Sequence, residues 1–103
     1  MSKRIMYLRN VDGRPVGCIA ISSSKNERDF NYQISVQNPK DKFSKPLARQ
    51  LALGRLEESP IEIKNVSHEN IHDISRAVMK DILNSKNMPA RAIKSAKNWL
   101  KNN

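Results

Sequence analysis

His68-Glu69-Asn70-Ile71-His72 matches H-E-x-x-H. On a helix, His at i and i+4 share a face and can hold one zinc, while the Glu activates the metal-bound water. That chemistry needs a third ligand, and no His or Glu follows His72. The extended form, H-E-x-x-H-x-x-G-x-x-H, would place Gly and His where the chain has Ser75 and Val78, and Asp73 stands where metalloproteases usually keep an uncharged residue. Ser67 as a helix cap, with Glu69 near the positive end of the helix dipole, accounts for the same residues without a metal. The single thiol, Cys18, sits among Val16, Gly17, Ile19 and Ala20. A nucleophile needs a base and a partly open, electropositive setting, so Cys18 reads as a small buried hydrophobe. One Cys also excludes an intramolecular disulfide and a Cys-rich zinc site. Neither G-x-x-x-x-G-K-[ST] nor G-x-G-x-x-G occurs, so nucleotide-dependent chemistry has no support. Asp41, Glu57, Glu58 and Glu62 are read as solvated surface charges. The expectation is a protein that is not an enzyme and has no cofactor and no bound metal.

What remains is charge. The chain carries 19 Lys/Arg and 10 Asp/Glu, a net of +9, with only 38% apolar residues. The cations are clustered. Residues 1–56 have eleven basic and four acidic groups, residues 57–85 three and six, and residues 86–103 five and none. A basic, mildly acidic, basic chain has the electrostatic footprint of a polyanion binder. No apolar run reaches the ~18 residues of a membrane span. The basic start, Ser2-Lys3-Arg4, leads into only a few apolar residues, so neither a signal peptide nor a membrane partner is expected, and the protein is placed in the cytoplasm.

The elements that must position these cations follow from periodicity. Residues 4–10 read as a strand, and Asp12-Gly13 as a hairpin turn. Residues 15–22 are apolar on both faces, which suits a central strand, and residues 22–27 form a polar loop. In residues 29–37, Phe30, Tyr32, Ile34 and Val36 alternate with Asn31, Gln33, Ser35 and Gln37, which predicts one dry and one wet face. Asn38-Pro39-Lys40-Asp41 breaks the strand. Ser44 reads as an N-cap of a helix running to about Glu58, with Pro46 in the tolerated first turn. Phe43, Leu47, Ala48, Leu51 and Ala52 fall on its apolar side, and Gly54 on that side suggests a close backbone approach. Ile61-Glu62-Ile63 is a candidate edge strand. A second helix is expected from near Ser67, with Ile71, Ile74, Val78 and Ile82 inward, and a third opened by Pro89, with Ala92, Ile93, Ala96, Trp99 and Leu100 on one face. The result is a single α+β domain spanning residues 1–103. It is a three-stranded antiparallel meander, with or without a short fourth edge strand, packed on three helices in the order β-β-β-α-(β)-α-α, the helices on one face.

Two surfaces become candidates on this frame. Lys40, Lys42, Lys45, Arg49 and Arg55 gather around a helix start whose free N–H groups favour phosphate, and Ser44 adds a hydroxyl. Arg91, Lys94, Lys97 and Lys101 form a stripe on the last helix with no carboxylate between them. The polar residues Asn31, Gln33, Ser35 and Gln37 are suited to reading base edges in a groove.

Ser44-Lys45-Pro46-Leu47-Ala48-Arg49-Gln50-Leu51-Ala52 resembles the last helix of the double-stranded-RNA-binding domain, S-K-K-x-A-K-x-x-A-A, which also follows a three-stranded sheet. Pro46 replaces the second Lys, the family's first helix is missing, and two extra helices follow. The resemblance implies a phosphate contact for Lys45. The stretch from Asn38 to Leu56 resembles a pattern in small bacteriophage-encoded proteins of unassigned function, which implies an accessory protein acting by binding inside a bacterial host. Two functions are therefore expected as alternatives. One is a nucleic-acid-binding module, for DNA or RNA, built on both basic surfaces. The other is a host-takeover or anti-defence inhibitor of an acidic or nucleic-acid-handling bacterial protein, with Trp99 or Phe43 as apolar anchors. The outer strands leave a homodimer open.

Overall fold

The computed structural model describes residues 3–23, 28–38, 40–67 and 70–103. Its four strands are β1 (Lys3–Arg9), β2 (Pro15–Ser23), β3 (Phe30–Val36) and β4 (Ile61–Ile63), and its helices α1 (Lys45–Glu58), α2 (Ile71–Asn84) and α3 (Ala90–Asn102). The strands form one antiparallel sheet in the order β1-β2-β3-β4, so the doubly apolar β2 is internal as its sequence predicts. The polar loop expected at residues 22–27 lies largely outside the described residues, as does Pro39 of the strand break.

The first hairpin closes as its sequence dictates. Gly13 takes φ = 80°, and the Gly13 amide donates to Asn10 O (3.0 Å) while the Asn10 amide donates to Arg14 O (2.9 Å). Asn10 Oδ1 accepts from the amides of Asp12 and Arg14, which locks the turn. The register shifts between Leu8 and Arg9, opposite Gly17 and Pro15. This bulge turns Val16 toward Ile19 and Ile21, out of the alternation that would put it with Cys18 and Ala20.

The sheet is dry on both faces, and here the expectation of one wet face and of helices on one side fails. One face carries Leu8, Ile19, Ile21, Phe30, Tyr32 and Ile34 against Val78, Met79 and Ile82 of α2 and Ala92 and Ala96 of α3. The other carries Cys18 and Ala20, with Ile5 and Tyr7 partly buried, against Ala48, Ala52 and Leu56 of α1. Ser35 and Gln33 of β3 are engaged by α1 and its C-cap and do not lie free for a nucleic-acid groove. Ser35 Oγ donates to Ala48 O (2.7 Å), and Gln33 Nε2 donates to Ser59 O (2.7 Å). A polar side chain that finds a main-chain carbonyl is as compatible with burial as an apolar one, which is why alternation alone misassigned this face.

The helices differ from expectation in detail. Ser44 caps α1, its Oγ accepting from the Leu47 amide at 3.4 Å. The buried seam of α1 is Ala48, Ala52 and Leu56, and two small residues in that seam let the helix lie close to the sheet. Leu47 and Leu51, one position away on the wheel, remain 55% and 44% exposed. Gly54 is exposed, and a Cβ there would meet nothing within 4 Å. The close approach belongs to Gly17, whose Cβ would stand 2.6 Å from Ser35 O. Helix α2 begins at Ile71, not near Ser67, with Asn70 Oδ1 accepting from the Asp73 amide. Ile71 is exposed, and Ser75 and Met79 join Val78 and Ile82 inside. Pro89 stands at the N-cap of α3.

Candidate nucleic-acid interface

Pairing fixes what lies at each end of the sheet. Arg9 stands opposite Pro15, and Gly17 opposite Val36, so the β1–β2 turn and the segment leaving β3 share one end. Gln37 is the hub there. Its amide donates to Val16 O (3.0 Å), its carbonyl accepts from Arg91 Nη1 (2.6 Å), and its Nε2 donates to Asp41 O. The loop that follows is shaped by Asn38, whose Oδ1 accepts from the Lys40 amide and whose carbonyl accepts from the Asp41 amide, both at 3.0 Å. The loop delivers the chain to the N-terminus of α1, and Arg91 ties the first turn of α3 to the same point. Arg9, Arg14, Lys40, Lys42, Lys45, Arg91 and Lys94 therefore share one end of the molecule, with Asp12 and Asp41 as its carboxylates. At the other end Lys3 pairs with Glu57 and Glu62 with Lys64, both at 3.4 Å.

The two predicted surfaces do not fuse into one face. Lys45 and Arg49 on α1 lie on one side of the sheet, and Lys94, Lys97 and Lys101 on α3 lie on the other; they adjoin only at the shared end, through the 37–44 loop and Arg91. Lys40, Lys42, Lys45, Arg49, Lys94, Lys97 and Lys101 are all exposed, and none is paired with a described carboxylate. Lys45 Nζ stands 4.9 Å from the Tyr7 ring centroid, and Tyr7 meets Phe43 edge-on at 6.3 Å. Arg55 is spent locally, donating to Ile34 O at 2.9 Å. The Ser44 oxygen serves as the α1 cap.

A cleft of about 240 Å³ opens at the cationic end, between the β1–β2 turn and α3. Arg9, Arg91 and Lys94 supply its cations, Asn10, Ser95 and Asn98 its neutral polar groups, and Val11 and Val16 its apolar wall; no carboxylate lines it. Arg9, Asn10, Ser95 and Asn98 were absent from the sequence candidates. The available signal was the i, i+4, i+7 spacing of Arg91, Ser95 and Asn98 on one helix face, together with a strand-end Arg beside a Gly turn. A second groove of about 270 Å³ runs beside α1, lined by Val36, Phe43, Leu47 and Leu51 with Lys42 and Asp41 at its rim.

The catalytic candidates have other employment. His68 and Glu69 lie outside the described residues. The His72 ring lies 5.3 Å from that of Trp99, and Arg76 Nη2 lies 3.3 Å from His72 Nε2. Among the described residues no three His, Cys, Asp or Glu side chains gather as a metal site. Cys18 is fully buried, and burial pushes its thiol up to about 11 against the opposing influence of Arg49. Phe43 and Trp99, the expected anchors, are both partly buried in the two cores; the exposed large apolar residues are Val11, Leu47, Leu51 and Ile71. Among the described residues no helix is long and apolar enough to cross a membrane. Comparison with family models, with curated proteins and with solved structures finds no match for this chain.

Proposed function

We propose that the protein is a non-enzymatic nucleic-acid-binding module whose contact surface is the cationic end of the sheet, flanked by the N-termini of α1 and α3. The observation that carries this reading is the way charge is set against the α1 dipole. The first turn of α1 contains Lys45 and no acidic residue, its approach adds Lys40 and Lys42, and its last turn holds Glu57 and Glu58 beside Arg55. A helix prefers the reverse, by about 0.3–1 kcal/mol per charge. Cations at the start of a helix, with no acidic residue in its first turn to offset them, break a local rule in the way functional sites do, and a polyanion laid across this end relieves the conflict. Binding to short labelled DNA and RNA, followed by fluorescence anisotropy at two salt concentrations, tests the reading. With about five phosphates engaged, log K falls against log salt with a slope near −4 to −5 on duplex DNA. Absent or salt-insensitive binding to every strand refutes it.

A second reading draws on the groove beside α1. Leu47 and Leu51 are exposed on consecutive turns and line that groove, as apolar anchors for a bacterial host protein would. Retention of a protein partner after nuclease treatment, lost in Leu47→Asp, favours it.

A further inference from the structure

We infer that the cleft between the β1–β2 turn and α3 binds the terminal phosphate monoester of a nucleic-acid strand; this rests on the nucleic-acid reading and assigns its most specific contact. Three features point there. First, Ser95 is only 5% exposed, and its hydroxyl has no hydrogen-bond partner among the described residues. No fully enclosed polar side-chain atom is left unpartnered among those residues, so the Ser95 Oγ is reachable from the cleft that it lines. A hydroxyl that no described protein group engages and that opens on a cleft is free to donate to a ligand there. Second, the guanidinium groups are held in place. Arg9 Nη1 donates to Gly13 O (2.9 Å) and Arg91 Nη1 to Gln37 O (2.6 Å), each using one of five N–H donors and leaving the rest for an acceptor. Third, size and charge select the ligand. About 240 Å³ lies below the ~300–1,000 Å³ typical of drug-sized sites, so the cleft takes an end group and not a length of strand. Arg9, Arg91 and Lys94 all line the cleft and no carboxylate among the described residues does, which favours a monoester carrying close to two negative charges at neutral pH over a backbone diester carrying one. Val11 and Val16 offer an apolar wall to the adjoining sugar.

The test uses one internally labelled oligonucleotide in three forms: 5′-phosphorylated, 3′-phosphorylated, and with hydroxyls at both ends. One phosphorylated form is expected to bind about tenfold more tightly than the hydroxyl form, the scale of a few charge-assisted hydrogen bonds. Which form gains identifies the end recognised. Ser95→Ala and Lys94→Gln each lower that ratio toward 1, and Ser95→Ala, a small helix-compatible change, does so without risk to folding. Equal binding of all three forms overturns the inference while leaving the nucleic-acid reading intact. A ratio that survives both substitutions overturns the assignment to this cleft. Absence of binding to any form at low salt overturns both.

Discussion

Lys45→Glu separates stability from binding in a direction few surface changes do. Lys45 is the first residue of α1, where a cation meets the positive end of the helix dipole and no acidic residue of the first turn answers it. Reversing its charge exchanges an unfavourable dipole interaction for a favourable one, about 0.6–2 kcal/mol in all. Against this stands the loss of the Lys45–Tyr7 cation–π contact at 4.9 Å, worth about 0.5–1 kcal/mol at an exposed site. The net runs from about 0.4 kcal/mol less stable to about 1.5 kcal/mol more stable, and 1 kcal/mol moves the melting temperature by about 4–8 °C in a domain of this size. Nucleic-acid affinity moves the other way, and the salt slope shrinks by about one unit as a phosphate contact is removed. Glu58→Lys is the matched control. It relieves the same dipole at the far end of α1, gaining a similar amount of stability, but sits away from the cationic end. Thermal melting and anisotropy on both variants decide the matter. If Lys45→Glu destabilises by more than about 1 kcal/mol, or if both variants lose affinity equally, the assignment of the α1 start as a phosphate site is wrong.

The remaining predictions concern the frame. Gly54→Ala, in open space on α1, stabilises by about 0.5–1 kcal/mol, whereas Gly17→Ala drives a methyl to 2.6 Å from Ser35 O and costs about 1–3 kcal/mol or more; urea midpoints for the pair should shift in opposite directions. Cys18, buried with its thiol raised to about 11, resists thiol reagents at pH 8 in the native protein and reacts only on unfolding. The buried Tyr32 phenol donates to Asp81 Oδ2 at 2.5 Å, and burial first, then that bond and the carboxylate charge, hold its proton more tightly than in the unfolded chain. Its contribution to stability is therefore complete below the ordinary phenol value near 10 and declines as pH rises beyond it. Denaturant midpoints across that range should fall in the native sequence and fall less in Tyr32→Phe.

How much of this was legible in residue order depended on whether a local rule or a distant partner decided the outcome. Gly13 at its turn, Ser44 at its cap and the doubly apolar β2 are governed by their own neighbours, and each stands where periodicity and turn chemistry place it. Leu47 and Leu51 look like core on a helical wheel, but the sheet chose the adjacent Ala48–Ala52–Leu56 seam because small residues let α1 approach the β2–β3 ridge. The same reasoning that singles out Gly54 applies equally to Gly17, and only the sheet's cross-strand contacts reveal that it is Gly17 which backbone crowds. The two basic clusters are legible along the chain. That α1 and α3 lie on opposite faces of the sheet is a property of topology, which charge arithmetic does not encode.

The open edge of β3 shows why individual cations were harder to assign than clusters. The Gln37 amide bonds across to β2, so alternate residues back along the strand do likewise, while Val36, Ile34, Tyr32 and Phe30 turn their main-chain groups to the other side. There β4 covers only Phe30 and Tyr32, in register with Ile63 and Ile61. Ile34 would be left bare, an invitation to edge-to-edge association. Its amide instead donates to the neighbouring Gln33 Oε1 (3.0 Å), and its carbonyl accepts from Arg55 (2.9 Å). A second copy pairing at this edge would have to displace that guanidinium, so Arg55 serves strand protection before it serves any ligand. Arg91 makes the same kind of bond, to Gln37 O, but its remaining donors border a cleft shared with Arg9 and Lys94. Arg55 borders a cleft of its own, of about 490 Å³, but no other described cation lines it. The acceptors of both arginines are main-chain carbonyls, which every residue carries, so sequence alone cannot say which arginine protects the sheet edge and which one lines a cleft with two further cations.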